Sequence, residues 1–266
     1  MKSAVYKKAG QVGIEEVKRP SIQEADDVII RVVRACVCGS DLWSYRNPDI
    51  KAGHKNSGHE AIGIVEETGE AITTVKPGDF VIVPFTHGCG ECDACRAGFD
   101  GSCDNHIGNN LGGNFQAEYL RFHYANWALV KIPGQPSDYS EGMLKSLLTL
   151  ADVMPTGYHA ALECVGTEAA VEQALGVLHN GGRMGFVGVP HYKNRALGST
   201  FMQNISVAGG AASATTYDKQ FLLKAVLDGD INPGRVFTSS YKLEDIDKAY
   251  KAMDERKTIK SMIVMD

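Results

Sequence analysis

The sequence predicts a mixed α+β/α/β chain, in which an all-β body is followed by a small parallel sheet. Three features carry that reading. Up to about residue 133, short β-branched or alternating runs are separated by turn-forming Gly, Pro, Asp and Asn. In the last hundred or so residues, strand-like and helix-like runs alternate, as in a parallel sheet built with crossover helices. Between the two, LKSLLTLADVMPTGYHAAL repeats its apolar residues at helical spacing.

Taken in order, AVYKK, DDVIIRVVRACVCG, AIGIVEETG, DFVIVPF, AEYLRF and WALVKIP are predicted strands. In the helical run, Pro155 lacks an N–H and must begin a new helix or kink the old one. ALECVG then reads as a strand and TEAAVEQALGVLHNGG as a helix closed by glycine, with RMGFVGVP and NISVAGG as further strands. TYDKQFLLKAVLDGD and LEDIDKAYKAMDE are predicted helices, and SMIVMD a final strand. The parallel sheet therefore has only about three strands.

At 266 residues the chain can bury a sizeable core, and 44% hydrophobic with 22% charged residues describes a soluble globular protein. A net charge of -5 with no Lys/Arg run longer than two argues against nucleic acid. No continuous apolar segment follows the charges of MKSAVYKKAGQVGIEE, so no signal peptide or membrane span is expected and the expected location is cytoplasmic. Of the 7 cysteines, those at 89, 92, 95 and 103 are tightly clustered. In a reducing compartment that clustering points to a metal before disulfides.

The cluster HGCGECDACRAGFDGSC spaces Cys89, Cys92, Cys95 and Cys103 as C-x2-C-x2-C-x7-C. Four thiolates on one loop can close a tetrahedral shell and leave no place for substrate, so a structural zinc is expected. An iron-sulfur cluster is the main rival. Against it, the fourth Cys lies too far along and is followed by Asp104 rather than Pro. Disulfides or free thiols are the remaining reading.

CVCGSD at 36–41 and SGHEAIG at 57–63 add a thiolate and an imidazole at the ends of strand-like segments. With the cysteine loop following them, and ADVMPTGYHA later, the chain resembles the zinc-dependent alcohol dehydrogenases of the medium-chain dehydrogenase/reductase family. The resemblance implies a GroES-like β-barrel catalytic domain and a catalytic zinc held by Cys38, His59 and Asp152. It makes Glu60 a neighbouring or exchangeable ligand, with a solvated carboxylate as the alternative, and Ser40 the acceptor of the alcohol proton. Three protein ligands would leave one zinc position open to polarise an alcohol or aldehyde oxygen. Relatives often carry a His three residues after that Ser, where this chain has Trp43. Trp43 cannot shuttle a proton and is read as a wall of the substrate pocket. His54 matches no ligand position and is read as a surface residue.

Hydride transfer in such a family needs NAD(P), held by a Rossmann domain with a glycine-rich loop at a helix N-terminus. No G-x-G in the chain is followed by the third glycine at the required spacing. ECVGT, GGRMGFVGVP and NISVAGG resemble the late strands of a Rossmann sheet, with NPGRVFT as the exit back to the catalytic domain. Roughly 80 to 90 residues of early strand-helix units would be missing at the seam TGYHAALECVG, at about 30 residues per crossover.

The expected domains are 1–150 (catalytic), 151–238 (truncated Rossmann-like) and 239–266 (return into the catalytic domain). NAD(P) binding should be weakened or lost, with residual contacts from Gly166, Gly188, Val189 and Lys260. Lys260 stands where relatives often have a pyrophosphate-binding Arg; a plain surface charge is the competing reading. Loss of early strands would leave ECVG as an exposed edge, and relatives join through the NISVAGG edge, so a homo-oligomer is expected. The function implied is oxidation of an alcohol or polyol to an aldehyde or ketone. The alternative is a cofactor-independent zinc protein, hydrolytic or inactive.

Overall fold

A computed structural model describes residues 1–55, 58–105, 114–159, 167–186, 201–209 and 216–265. The first elements are β1 (Lys2–Lys8), β2 (Gln11–Glu16), β3 (Val28–Val37), α1 (Asp41–Arg46), β4 (His54–Lys55), β5 (Ala61–Thr68) and β6 (Phe80–Val83). α2 (Asp93–Arg96), β7 (Tyr119–Phe122), α3 (Ala125–Ala128), β8 (Val130–Ile132), α4 (Glu141–Thr149) and α5 (Val153–His159) follow. The remainder is α6 (Glu168–Gly176), β9 (Arg183–Phe186), β10 (Ser206–Gly209), α7 (Thr216–Leu227), β11 (Phe237–Lys242), α8 (Ile246–Asp254) and β12 (Lys260–Val264).

The main sheet runs β11-β12-β3-β5-β6-β8, and β3 is its organiser. One edge of β3 pairs with β5 over most of its length; the other is shared, residues 28–31 with β7 and residues 34–37 with β12. A second sheet, β2-β1-β4, closes over the first through the Ser3–Ala117 bridge and the Ala4 N–H on the Gln116 carbonyl. The C-terminal strand is thus part of the N-terminal sheet.

Alternation along β3 explains how the two cores are separated. Val28, Ile30 and Val32 face one core with Tyr6, Phe122 and Tyr250, and so do Ala35 and Val37. The parity has changed between them. A register shift against β5 at Val32/Arg34 inserts the extra residue that re-aims the strand, and Val33 and Cys36 turn to the other core. That second core packs Ile62, Phe80 and Ile82 under Leu144, Leu147 and Leu148 of α4 and Leu222, Leu223 and Val226 of α7.

The long predicted helix is broken after Thr149, earlier than Pro155, which sits inside the first turn of α5 where its missing N–H costs nothing. The predicted WALVKIP strand is shorter than expected, because Tyr124 takes a left-handed conformation (φ 54°) and Trp127 lies on the one-turn α3. Of the parallel half, β9 and β10 pair in register, and every residue of β10 is exposed. ALECVG, residues 161–166, lies outside the described residues. α8 presents Ile246, Ala249, Tyr250 and Met253, a helical i, i+3, i+4, i+7 stripe, to the first core. Among the described residues, no helix is long and apolar enough to cross a membrane.

α7 also carries a buried charge. Lys219 is only 3% exposed, in the electrostatic reach of Asp100 and His87 near the cysteine loop. Burial outweighs the pull of Asp100 and Asp218 and lowers its pKa to about 8. Between about pH 8 and its ordinary value of 10.5, the unfolded chain binds a proton the folded one does not, so stability rises with pH across that window. Full relief amounts to about 3 kcal/mol. Urea unfolding at pH 8 and pH 9.5 should show the rise in wild type and a flatter profile in Lys219→Met; equal slopes would contradict it.

Candidate metal centres

The cysteine loop is built for one ion. Cys92 caps α2 and its sulfur accepts from the Cys95 N–H (3.4 Å), while the Cys89 sulfur accepts from the N–H groups of Glu91 and Cys92 (both 3.4 Å) and from Asn105 Nδ2 (3.3 Å). All four sulfurs lie within 4.8 Å of one another, with Cys92 and Cys103 3.8 Å apart. A tetrahedral shell with Zn–S of ~2.3 Å has sulfur-sulfur edges of roughly 3.8 Å, so the donor set fits a single zinc. Gly90 is required twice: its φ is +78°, and a Cβ there would stand 2.7 Å from the Trp127 ring that covers the loop. Burial pushes the Cys95 thiol up to about 12, so its proton leaves when a metal binds.

The second centre draws on three separate segments. Cys38 follows the end of β3, His59 and Glu60 precede β5, and Asp152 lies in the α4–α5 break, held there by the Phe85 N–H on the Ala151 carbonyl (3.0 Å). One donor atom from each of the four residues falls within 4.8 Å of all the others. Cys38 Sγ and His59 Nε2 approach Asp152 Oδ2 at 3.6 and 3.5 Å. The other Asp152 oxygen accepts from the Thr156 hydroxyl at 2.7 Å. The three ligand residues predicted from the sequence therefore converge.

Charge explains what this site wants. Asp41, Glu60 and Asp152 are all buried beside Cys38, with the buried ammonium of Lys260 against Glu60. Burial alone would lower His59 and raise Asp152. The neighbouring Asp41 and Asp152 instead hold the imidazole well above its usual value, and His59, Lys260 and Thr156 hold the Asp152 carboxyl below its own. Burial still raises Glu60, whose Oε2 has no hydrogen-bond partner among the described residues. A buried cluster of anionic donors with one orphaned oxygen fits a divalent cation.

Other predicted residues fall as follows. Ser40 is half-buried immediately before α1, two residues beyond Cys38, and Trp43 is 41% exposed on that helix. Lys260 is 5% exposed and its ammonium donates to Glu60 Oε1 (2.6 Å) and the Val37 carbonyl (3.3 Å). The surface-charge reading of Lys260 and the solvated reading of Glu60 are both corrected: each residue is buried because the other neutralises it. Gly166, Gly188 and Val189 lie outside the described residues. For His54 the structure describes the backbone, paired through β4 to Tyr6.

Sequence reasoning missed Asp41. It is fully buried, with Oδ1 3.4 Å from His59 Nδ1 and Oδ2 accepting the Cys38 N–H at 2.9 Å, so one carboxylate orients two of the converging segments. The signal was present in CGSD as an acidic residue three positions after the Cys.

The fold thus carries two groups of donors that could each hold a metal ion, a four-cysteine loop and a separate Cys/His/Glu/Asp cluster. Residues 24–134 match the alcohol dehydrogenase GroES-like domain. An uncharacterized zinc-type alcohol dehydrogenase-like protein of Bacillus subtilis is 36% identical over 173 residues, 59% of this chain and 44% of that protein. A glutathione-independent formaldehyde dehydrogenase of Pseudomonas aeruginosa is 32% identical over 178 residues, 60% of this chain and 44% of that one. The alcohol dehydrogenase of Thermus sp. ATN1 shares the fold, with a TM-score of 0.83 at 22% identity over 100% of both chains. The chain thus carries an alcohol dehydrogenase GroES-like domain and is similar to zinc-type alcohol dehydrogenases. It spans less than half the length of these curated relatives.

Proposed function

We propose that this chain is an alcohol dehydrogenase-type oxidoreductase acting on a small alcohol or aldehyde, in which Cys38, His59 and Asp152 hold a catalytic zinc. The convergence of those three donors from distant segments, with Glu60 behind them, is the observation that supports it. A zinc held there would supply a Lewis acid for the substrate oxygen, and NAD(P) would supply the hydride acceptor. The chain's own part is to orient and to move a proton. Asp41 fixes the His59 ring, Thr156 fixes Asp152, and the Ser40 hydroxyl receives the alcohol proton beside Cys38.

Cofactor affinity is the weak link of this reading. Between α5 and α6 the chain has only residues 160–167, too few for a strand-helix unit of about 30 residues. Contacts to NAD(P) then fall to Gly166, Gly188 and Val189 on the nicotinamide side, with Lys260 already engaged by Glu60. The domains follow the same reading, with 1–150 and 239–266 forming the catalytic body and 151–238 the remnant; the exposed β10 edge is where a second copy would join.

The zinc-loaded protein titrated with NADH should show weak, millimolar enhancement of nicotinamide fluorescence, abolished in Cys38→Ser only when substrate analogue is present. No binding at millimolar NADH would leave dehydrogenase as ancestry and turn attention to cofactor-free zinc chemistry.

A further inference from the structure

Behind the open centre lies a chain of buried polar groups that ends in the C-terminal helix. Asp41 Oδ2 is 3.4 Å from Gln116 Nε2, which also donates to the Cys36 carbonyl at 2.9 Å. At the other end of that amide, Oε1 accepts from the Tyr250 hydroxyl at 3.1 Å. Asp41, Gln116 and Tyr250 are each 0% exposed. We propose that Gln116 and Tyr250 are positioning residues of the open metal centre, which hold Asp41 and through it the His59 ring and the Cys38 backbone. The inference rests on the zinc reading above.

Direction follows from the donors and acceptors. Two oxygens, of Cys36 and Asp41, face one end of the Gln116 amide, so that end must be the NH2 and the other the carbonyl. The carbonyl in turn needs a donor, which is the Tyr250 hydroxyl. With Gln116 and the Cys38 N–H both donating to Oδ2, Asp41 is set to receive the His59 Nδ1 proton on Oδ1. That turns Nε2 toward Asp152, whose Oδ2 lies 3.5 Å away, on the side of the ring where a metal would be held.

Packing fixes each member in place. A Cβ on Gly58 would stand 2.6 Å from Gln116 Cγ, so the glycine before His59 is the space in which Gln116 lies. The Gln116 carbonyl accepts from the Ala4 N–H at 2.9 Å, which pins its backbone to β1. Tyr250 is held edge-on to Tyr6 (6.2 Å) and tilted against Tyr45 (5.3 Å), and Tyr6 donates to the Asp41 carbonyl. α8, distant in sequence, thereby sets a coordinate of the metal site.

Cobalt(II) substitution gives the test, because the open centre and the four-thiolate loop absorb differently and the loop serves as an internal reference. In wild type, the bands lost in Cys38→Ser define the open centre. Gln116→Leu and Tyr250→Phe, the latter removing only a hydroxyl, should shift those bands and weaken cobalt there by ~10–100-fold, with the loop bands unchanged. Tyr250→Phe with wild-type cobalt affinity and bands overturns the proposal, even if Gln116→Leu does not fold. Wild-type protein whose cobalt spectrum is untouched by Cys38→Ser would instead overturn the zinc reading on which it rests.

Discussion

Cys95→Ser should reduce bound zinc from two ions per chain to one and unfold the loop around it. Cys95 is 3% exposed, and its sulfur lies so close to Gly88 that a Cβ there would stand 2.3 Å away. A shorter, harder hydroxyl in that place neither reaches the shared centre nor gives zinc a thiolate. Structural zinc sites contribute about 10–16 kcal/mol to the folding of small metal-bound units, comparable to or larger than the whole stability of a typical domain. Losing even a fraction of that exceeds what the short α2 and its turns can supply. Metal analysis should find one zinc, and amides of residues 88–105 should exchange freely, while the β3–β5 core remains protected. Two zinc ions with wild-type protection would show that the loop is held by something else.

Lys260→Met should cost about 3–5 kcal/mol, because it leaves the Glu60 carboxylate buried without its counter-charge. The ammonium is the group 2.6 Å from Glu60 Oε1, and among the described residues Oε2 has no hydrogen-bond partner to take over. A Cys38→Ser background keeps the loop zinc while emptying the open centre, and so isolates the effect. The sign of its pH dependence is fixed. Burial already raises the Glu60 pKa, and loss of Lys260 raises it further, so the folded state binds the extra proton. Stability of the variant should therefore be nearest its parent below about pH 4.5 and fall away as pH rises toward 7. A uniform loss at pH 5 and pH 8 in urea unfolding would assign the damage to packing.

Much of the catalytic half was readable because its chemistry is local. The four cysteines lie on one loop, and a strand's alternation or a helix's stripe depends on neighbours two to four residues away. Cys38 and His59 were legible through the short motifs around them. Lys260 was harder: TIKSM shows a charge near a strand, and nothing in those letters says that β12 will pair with β3 and carry the ammonium beneath the metal centre. Gln116 was missed altogether, since an amide inside NFQAEY looks like any polar residue at the start of a strand.

The sequence by itself determined the two metal-donor sets, the β-then-α/β order and the seam TGYHAALECVG where cofactor-binding units are expected. Tertiary structure alone decided which charges are buried together. Glu60 with Lys260, Asp41 with His59, and Gln116 with Tyr250 join residues up to 200 positions apart. Such pairs leave no periodic trace along the chain. Their energy comes from desolvation and hydrogen bonding in three dimensions, and it exists only once β12 and α8 have closed over β3.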